Sequence, residues 1–255
     1  FLQAGASKVF VTSRKASACD SAVSALNALP GLAPGSGAVS VPADSSTLEG
    51  VRSLLSQVGR HASRVDVLLA NAGATWGAPF DAHPDGAFRK VLDLNVRAVF
   101  NTIREFAPML RSGASASSPS KVIVTASVAG LGVGTLGKNG TYGYSASKAA
   151  VIHLARNLAL ELGPRGITVN AIAPGFFPSR MSNGLLDLAG GRDKIAKGNP
   201  MRRLGKPEDI AGAVVYLASR AADHVNGVVL PIDGGAMWVR GELEEEEEEG
   251  GKAKL

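Results

Sequence analysis

Short runs of β-branched residues alternate with longer helical patterns along most of this chain. The short runs hold few polar residues, which is typical of parallel strands that are buried on both faces. This alternation predicts an α/β fold, a doubly wound parallel sheet with helices on both faces. The predicted strands are Val9–Thr12, Ala38–Pro42, Val65–Ala70, Lys121–Ala126, Thr168–Ile172 and Val228–Ile232, and the predicted helices lie around Ala16–Leu29, Thr47–His61, Ala87–Leu110, Tyr144–Leu162 and Pro207–Ala218.

The opening stretch, FLQAGASKVFVTSRK, has the pattern of a helix end, a glycine, a short strand and a basic turn. In nucleotide-binding strand–helix–strand units this order follows a first strand and a glycine-rich turn, whose backbone N–H groups hold the pyrophosphate. Neither comes before Phe1 in the sequence. We therefore predict a single dinucleotide-binding sheet from which the first strand and glycine turn are absent, and weak dinucleotide binding by these 255 residues.

The length and composition fit one α/β domain. Hydrophobic residues make up 45% and charged residues 19% of the 255 residues, which excludes a largely disordered chain. No apolar run reaches the length of a membrane span and no signal peptide is visible. Cys19 is the single cysteine, so an intramolecular disulfide is impossible and a reducing compartment fits. We predict a cytoplasmic protein without a membrane partner.

Charge is unevenly distributed along the chain. Residues 242–255 contain seven of the 22 acidic and two of the 27 basic residues, so residues 1–241 carry a net charge of +10. A basic body can serve nucleic acid or an anionic small molecule, but the sequence has no zinc-finger spacing, basic-region heptad or RNP-like aromatic pattern. We predict one domain over residues 1–241, no nucleic-acid partner, and a disordered acidic tail over residues 242–255.

A literal G-x-G-x-x-G pattern is formed by Gly132, Gly134 and Gly137 after a predicted strand. A dinucleotide fingerprint requires a helix to begin at this turn and an acidic residue to close a second strand about 20 positions on. In this sequence the next predicted helix begins several residues after the glycines. The acidic residue nearest to the required position is Glu161, which lies inside that helix and not at the end of a strand. We interpret the pattern as a glycine-rich loop.

Tyr144 and Lys148 lie four residues apart at the start of an apolar helix, so their side chains share one face. A phenol has a pKa of about 10 and exchanges protons poorly at neutral pH. A fixed ammonium one turn away would lower that pKa and make Tyr144 a usable acid or base. The same spacing also occurs on solvated helix faces, so the pair alone does not define a site.

Polar residues and glycines follow the carboxyl ends of several predicted strands, the edge where α/β sheets bind ligands. Ser127 ends one strand, and its hydroxyl could bond a carbonyl oxygen beside Tyr144. Asn95 is a polar residue within an otherwise apolar helix. The other residues of this kind are Asp44, Asn71-Ala72-Gly73 and Pro174-Gly175.

Several motifs together resemble the short-chain dehydrogenase/reductase family over residues 1–240. These are NAG at 71–73, Asn95, SVAG at 127–130, YSASK at 144–148, PG at 174–175 and DGG at 233–235. The resemblance implies a Rossmann-like fold in which Tyr144 is the general acid and Lys148 lowers its pKa and holds the nicotinamide ribose. It further implies that Ser127 polarises the carbonyl and that Asn95 holds a water in a proton relay, although Asn95 could instead be a helix-kinking or capping group.

The same resemblance implies the cofactor-binding residues. Asp44 with the adjacent Ser45 would border the adenine ring, and Asn71, Ala72 and Gly73 the adenosine side. Pro174 and Gly175 would flank the nicotinamide beside Tyr144 and Lys148, and Ser179 would replace the threonine that many members have after Pro-Gly. No metal is implied.

The basic turn Ser13-Arg14-Lys15 bears on the choice of cofactor. Members that use NAD have an acidic residue here for the ribose 2′-hydroxyl, whereas an arginine accommodates a 2′-phosphate. The turn has two cations and no acidic residue before Asp20, and arginine's planar donors suit phosphate oxygens. We therefore predict that Ser13 and Arg14 select NADP(H) over NAD(H).

The stretches NAGATWGAPF and APGFFPSRMS, with the long glycine loop, resemble the family branch that reduces 3-oxoacyl thioesters, particularly members associated with rhamnolipid-type lipid synthesis. This implies NADPH-dependent reduction of an acyl-carrier or coenzyme A thioester. Two alternatives stay open: a member acting on a sugar, polyol or small ketone, and a cofactor-binding or scaffold protein without turnover. One helix has an apolar stripe formed by Val151, Leu154, Leu158 and Leu162. In the family such faces pair subunits, so the resemblance implies a homodimer or homotetramer, unless the stripe is core.

Overall fold

Parallel strands and helices alternate in a computed structural model of the protein, which describes residues 1–179 and 191–239. The strands are β1 (Lys8–Val11), β2 (Gly37–Ser40), β3 (Val67–Ala70), β4 (Ser120–Thr125), β5 (Ile167–Pro174) and β6 (Val229–Ile232). The helices are α1 (Ala16–Asn27), α2 (Leu48–Gly59), α3 (Asp85–Leu92), α4 (Ala98–Arg111), α5 (Tyr142–Leu162), α6 (Arg192–Lys197) and α7 (Pro207–Ala218). Every predicted strand and helix is present within a few residues of its expected position, and among the α-helices of the described residues only α6 was not predicted. The acidic tail predicted over residues 242–255 lies outside the described residues.

All strand pairs are parallel, which confirms the prediction of a doubly wound α/β fold. The strands form two sheets: β1 pairs with β2, and the other four follow the order β3-β4-β5-β6. No strand lies between β1 and β3 in the described parts of the chain, so the predicted single sheet is divided at that point. Because β3 to β6 run in one direction, their carboxyl ends meet at one edge.

Local sequence signals shape the helices. Thr47 caps α2 by accepting a hydrogen bond from the Gly50 N–H at 3.0 Å. The helix predicted over Ala87–Leu110 consists of α3 and α4, joined by the π-helical turn Asp93–Arg97, and such wide turns are frequent at functional sites. Within residues 1–179 and 191–239, no helix is both long enough and apolar enough to cross a membrane.

Helices cover both faces of the sheet. Side chains of α2, α4 and α5 form one core cluster with β4 and β5, and side chains of α7 form a second cluster on the opposite face. Val151 and Leu162 of the predicted subunit-pairing stripe are 0% and 5% exposed, and Leu154 and Leu158 pack against the same cluster. The stripe is therefore core, the second of the two interpretations above.

A charged side chain is buried in the central strand β4. Lys121 is only 3% exposed. Its Nζ donates to Oδ1 of Asp223 at 2.7 Å and to the Ala222 carbonyl at 3.3 Å. A buried ammonium needs such partners because desolvation strongly disfavours an unpaired charge. The ion pair ties the segment before β6 to the middle of the sheet.

Replacing this carboxylate should destabilise the fold. We expect Asp223→Asn to lower the free energy of unfolding by about 2 kcal/mol at pH 7, because the Lys121 ammonium stays buried without a counter-charge. Urea unfolding followed by circular dichroism measures the change. Asp66→Asn is the control: Asp66 pairs with Arg64 where both side chains are more than half exposed, so its loss should be below about 0.5 kcal/mol. Equal losses in the two variants would contradict the role of burial.

Candidate active site

The predicted catalytic residues gather at the carboxyl edge of the four-stranded sheet. Ser127 lies two residues beyond the end of β4, and Asn71 follows β3 directly. Tyr144 and Lys148 lie in the first two turns of α5, which packs against β5 and against the short helical turn Val128–Gly130. Residues that are distant in sequence thus share one edge, as parallel strands require.

The segment after β4 lies directly against α5. A Cβ atom on Gly130 would lie 2.5 Å from the backbone carbonyl carbon of Lys148, so a residue without a side chain is needed there. The Ser127 hydroxyl is close enough to the Tyr144 side chain to lower the pKa of its phenol, and it accepts the Ala129 N–H at 3.2 Å. The two hydroxyls therefore converge, and a ligand oxygen beside them can bond to both.

Burial controls the protonation of Tyr144. Desolvation raises the pKa of its phenol, and the hydrogen bond with Ser127 lowers it by less. Lys148 is not among the causes of this shift, and its predicted lowering of the Tyr144 pKa stays a prediction. The Lys148 ammonium lies 5.6 Å from the centre of the Tyr144 ring and donates instead to the Thr125 carbonyl at 2.6 Å. Tyr144 consequently keeps its proton at neutral pH.

Lys148 is also governed by its surroundings. It is 4% exposed, and burial lowers the pKa of its ammonium to about 8. The charge is thus retained at pH 7 but is lost at mildly alkaline pH. Thr125, whose carbonyl holds the ammonium, donates its hydroxyl to Oδ1 of Asn71 at 3.0 Å. The end of β4 therefore links Lys148 to the segment that follows β3.

Asn95 lies in the π-helical turn and is 1% exposed. Its Oδ1 accepts the Ala74 N–H at 2.8 Å, and its Nδ2 donates to the Ala74 carbonyl and to Oγ of Ser147, both at 2.9 Å. A Cβ atom on Gly73 would lie 3.2 Å from Oδ1 of Asn95. The side chain thus fixes the segment after β3 against α5. Its role in holding a relay water stays a prediction.

Two residues of this arrangement, Ser147 and Thr125, were not predicted from the sequence. Ser147 is fully buried, accepts from Asn95 and donates to the Tyr144 carbonyl at 2.7 Å. Its signal was available: it is a small polar residue one turn after Tyr144 on a helix that is otherwise apolar. Thr125 accepts the Lys148 ammonium with its backbone carbonyl. Every residue has such a carbonyl, so the sequence does not indicate which one is the acceptor.

Most of the predicted cofactor residues line one cavity of about 1370 Å³ between β1 and β3. They are Ser13, Arg14, Asp44, Ser45, Asn71, Ala72 and Gly73. The predicted nicotinamide-side residues Pro174, Gly175 and Ser179 lie outside this cavity, and a Cβ atom on Gly175 would lie 2.7 Å from that of Asp233. The structure thus gathers the adenosine-side set around the cavity and places the others at β5.

The basic turn after β1 borders the same cavity. Ser13 and Arg14 are exposed, and the Ser13 hydroxyl accepts the Lys15 N–H at 3.3 Å. Hydrogen bonds from Ser46, and to a lesser degree the charge of Arg14, hold the pKa of Asp44 below its usual value. A guanidinium beside a hydroxyl is a donor set that fits phosphate oxygens.

The glycine-rich pattern lies in the loop between β4 and α5, as interpreted from the sequence. A Cβ atom on Gly134 would clash with the Ser145 side chain, and Gly137–Asn139 form a short helical turn. The pattern therefore packs against α5. In the described parts of the chain, no group of three or more His, Cys, Asp or Glu side chains is placed to hold a metal ion.

This fold, with a tyrosine and a lysine one turn apart beside a serine after β4, defines a dehydrogenase-like site at the edge of a parallel sheet. The family model described as enoyl-(acyl carrier protein) reductase matches residues 1–237. The chain belongs to the short-chain dehydrogenase/reductase family.

Individual relatives place the chain within that family. It is 40% identical over 234 residues to the rhamnolipids biosynthesis 3-oxoacyl-[acyl-carrier-protein] reductase of Pseudomonas aeruginosa, covering 92% of this chain and 88% of the relative. It is 37% identical over 188 residues to the 3-oxoacyl-[acyl-carrier-protein] reductase FabG of Staphylococcus epidermidis, covering 72% of each. Among solved structures, the P. aeruginosa RhlG/NADP active-site complex superposes with a TM-score of 0.84 at 39% identity, covering 92% of this chain and 88% of that one.

Proposed function

We propose that the protein reduces the ketone of a 3-oxoacyl thioester to the 3-hydroxyacyl form with NADPH. The observation that carries this proposal is the convergence of the Ser127 and Tyr144 hydroxyls with the buried ammonium of Lys148 one turn away. Such a pair suits a carbonyl oxygen, which accepts two hydrogen bonds and gains a proton on reduction. The reductases named above support the substrate class.

The proposed chemistry divides between the residues as follows. NADPH, when bound, supplies the hydride that reaches the carbonyl carbon. Ser127 orients the carbonyl oxygen, and Tyr144 transfers its phenolic proton to that oxygen as negative charge develops there. The phenolate that remains is stabilised by Ser127 and by the nearby positive charge of Lys148. With its pKa raised, Tyr144 carries its proton at the start of each turnover.

The surroundings of the site favour an apolar substrate. Large apolar side chains are exposed on the segments that follow β3, β4 and β5; they are Trp76, Phe80, Val133, Leu136 and Phe176. The first two segments are joined by the Ala78 N–H, which donates to the Gly140 carbonyl at 3.1 Å. Exposed apolar surface of this kind typically marks a binding site. It suits an acyl chain better than a sugar or polyol.

The test is NADPH consumption with a 3-oxoacyl thioester, compared with a panel of sugars, polyols and steroids. We expect the thioester to have the highest kcat/KM. Clear polyol turnover without thioester activity would overturn the substrate class. Binding of NADPH without turnover of any substrate would favour a cofactor-binding protein.

Cofactor preference should depend on Arg14. We expect Arg14→Ala to raise the KM for NADPH at least tenfold and to leave that for NADH within about twofold, because only NADPH has the 2′-phosphate. Steady-state kinetics with both cofactors measures the effect. Arg97→Ala is the control, since Arg97 is an exposed arginine of the π-helical turn, paired with Asp93. Equal effects of Arg14→Ala on the two cofactors would contradict the assignment.

We further propose that the substrate arrives on an acidic carrier protein. The relatives named above are 3-oxoacyl-[acyl-carrier-protein] reductases, and residues 1–241 of this chain carry a net charge of +10. A basic body attracts an acidic partner and speeds its encounter. A 3-oxoacyl thioester on the carrier should then have a lower KM than the same thioester of coenzyme A, and equal values would contradict this proposal.

A further inference from the structure

The segment that follows α6 lies at the same edge of the sheet as the candidate active site. The Gly205 N–H donates to the Phe176 carbonyl at 3.1 Å, just beyond the end of β5. Nδ2 of Asn199 donates to the Asp233 carbonyl at 2.8 Å, just beyond the end of β6. Residues 199–205 therefore join the carboxyl ends of two neighbouring strands, and α6 leads directly into them.

A fixed turn in this segment presents two exposed side chains, Met201 and Arg202. The Arg202 N–H donates to the Asn199 carbonyl at 2.8 Å, and the Met201 N–H donates to Oδ1 of Asn199 at 2.8 Å. Arg202 has a φ of 51°, a left-handed conformation that residues other than glycine rarely adopt. Such backbone persists only where the surrounding structure holds it, and it is concentrated at functional surfaces.

Basic residues are concentrated on α6 and on the segment that follows it. Residues 192–208 contain six basic residues and two acidic ones, Asp193 and Glu208. Arg203 pairs with Asp209 through two hydrogen bonds, at 2.6 and 2.9 Å. The other five basic residues are all exposed, and we refer to them as the basic surface: Arg192, Lys194, Lys197, Arg202 and Lys206. A surface of this charge attracts an anionic partner.

The chain itself contains a segment of the opposite charge. The acidic tail, residues 242–255, has seven glutamates and two lysines, so its side chains carry a net charge of −5. Six of the glutamates are consecutive, from Glu244 to Glu249. Blocks of like charge often serve as interaction segments. The charge of the acidic tail is thus complementary to that of the basic surface.

The acidic tail begins close to the basic surface. A Cβ atom on Gly235 would lie 3.5 Å from Cγ of Pro200, and the Trp238 N–H donates to the Gly235 carbonyl at 3.0 Å. One short helical turn therefore separates Pro200 from Val239, which lies three residues before Glu242. Because an extended chain spans about 3.4 Å per residue, the glutamates of the tail lie within about 10 to 34 Å of Val239. This reach includes α6, whose six residues are about 9 Å long.

We propose that the acidic tail docks on the basic surface of its own chain and shields these cations from other anions. The tail is tethered beside the surface, so its effective concentration there is high. The docking depends on side-chain charges alone and not on the proposed reaction. Its consequence rests on the proposed function: the basic surface lies at the edge that holds the active site, so a docked tail competes with an acidic carrier protein.

Carbodiimide cross-linking of the full chain tests the docking, because the reagent joins a carboxylate to a lysine only where the two are in contact. We expect cross-links from the tail glutamates to Lys194 and Lys206 to be at least fivefold more abundant than those to Lys90, an exposed lysine of α3. In about 0.5 M NaCl they should decrease at least fivefold, since salt screens exposed charges. Equal abundance at all three lysines would overturn the proposal.

A mixture of isotope-labelled and unlabelled protein shows which chain provides the tail. We expect the cross-links to Lys194 and Lys206 to join residues of one chain. Cross-links that join a labelled chain to an unlabelled one would assign the basic surface to the tail of a second copy and would overturn the proposal.

A full-length variant with an uncharged tail gives a second measurement. In the sixfold variant Glu244→Gln to Glu249→Gln, acetic anhydride should modify Lys194 and Lys206 at least threefold faster than in the wild type, because the glutamates no longer cover them. Lys90 should react at the same rate in both proteins, as measured by mass spectrometry. Unchanged rates at Lys194 and Lys206, or an equal increase at Lys90, would overturn the docking.

The same variant measures the shielding. We expect its KM for a carrier-bound 3-oxoacyl thioester to fall at least threefold, and its KM for a small uncharged thioester to stay unchanged. An unchanged KM for both substrates would overturn the shielding. Absence of turnover with every thioester would contradict the proposed function instead, and the cross-links would still decide whether the tail docks.

Discussion

Tyr144→Phe is expected to lower kcat by about 10³-fold while leaving the affinity for NADPH within a factor of about three. The variant keeps the aromatic ring and its packing, and removes only the hydroxyl that lies beside Ser127. Stopped-flow or steady-state NADPH oxidation measures the rate, and fluorescence titration measures binding. A large loss of binding would mean that the hydroxyl acts on the cofactor rather than as the acid.

Tyr142→Phe is the matched control for this experiment. Tyr142 lies two residues before Tyr144 on α5. Its ring packs edge-on against the rings of Phe80 and His83, whose centres lie 5.9 and 6.0 Å away, respectively. Removal of its hydroxyl should change kcat less than threefold. If both variants lost activity equally, the effect would reflect disruption of the start of α5, and Tyr144 would not be the proton donor.

The direction of the Tyr144 pKa shift could not be predicted from the sequence. The four-residue spacing to Lys148 correctly places both side chains on one helix face, because the helical repeat alone determines this. The sign of the pKa shift depends on how far each group is removed from water, and a single sequence does not contain that information. Burial is the largest cause of the pKa shift at both residues, raising the pKa of Tyr144 and lowering that of Lys148.

The fold, too, could be predicted from the sequence only in part. Strand and helix positions follow from local hydrophobic periodicity, so the elements from β1 to β6 could be predicted. The role of the apolar stripe on α5 could not, because core and interface residues have the same composition. Val151 is fully buried within one chain, which only the packing of α5 against the sheet reveals.

The candidate site was predictable where residues follow strand ends, since the topology then brings them together. Ser127 and Asn71 belong to this class. Ser147 and the Thr125 carbonyl act through hydrogen bonds to Asn95, Tyr144 and Lys148, and these partners are defined only by the packing of α5 against its neighbours.

Lys148 gives the second large effect, and its direction depends on pH. Because burial lowers the pKa of its ammonium to about 8, we expect kcat for reduction to fall as the pH rises through that value. Lys148→Met should lower kcat at pH 7 by about 10²-fold and remove this step from the pH profile, since no charge is left to titrate. Lys90→Met, at an exposed residue of α3, should preserve both kcat and the profile. A profile that keeps its step in Lys148→Met would assign the titration to another group.

The same shift predicts an opposite trend in stability. In the unfolded chain a lysine has a pKa of about 10.4. Between pH 8 and that value the unfolded state therefore binds more protons than the folded state. As a result, the free energy of unfolding rises with pH in this range. Below pH 8 both states are protonated and the cost of burying the ammonium is present in full. From pH 7 to pH 10, the free energy of unfolding of the wild type should therefore rise by about 2 kcal/mol relative to Lys148→Met, as measured by urea unfolding at each pH. Equal changes in the free energy of unfolding of the two proteins would contradict this prediction. They would show that burial of the Lys148 ammonium carries no stability cost at the pH where it supports catalysis.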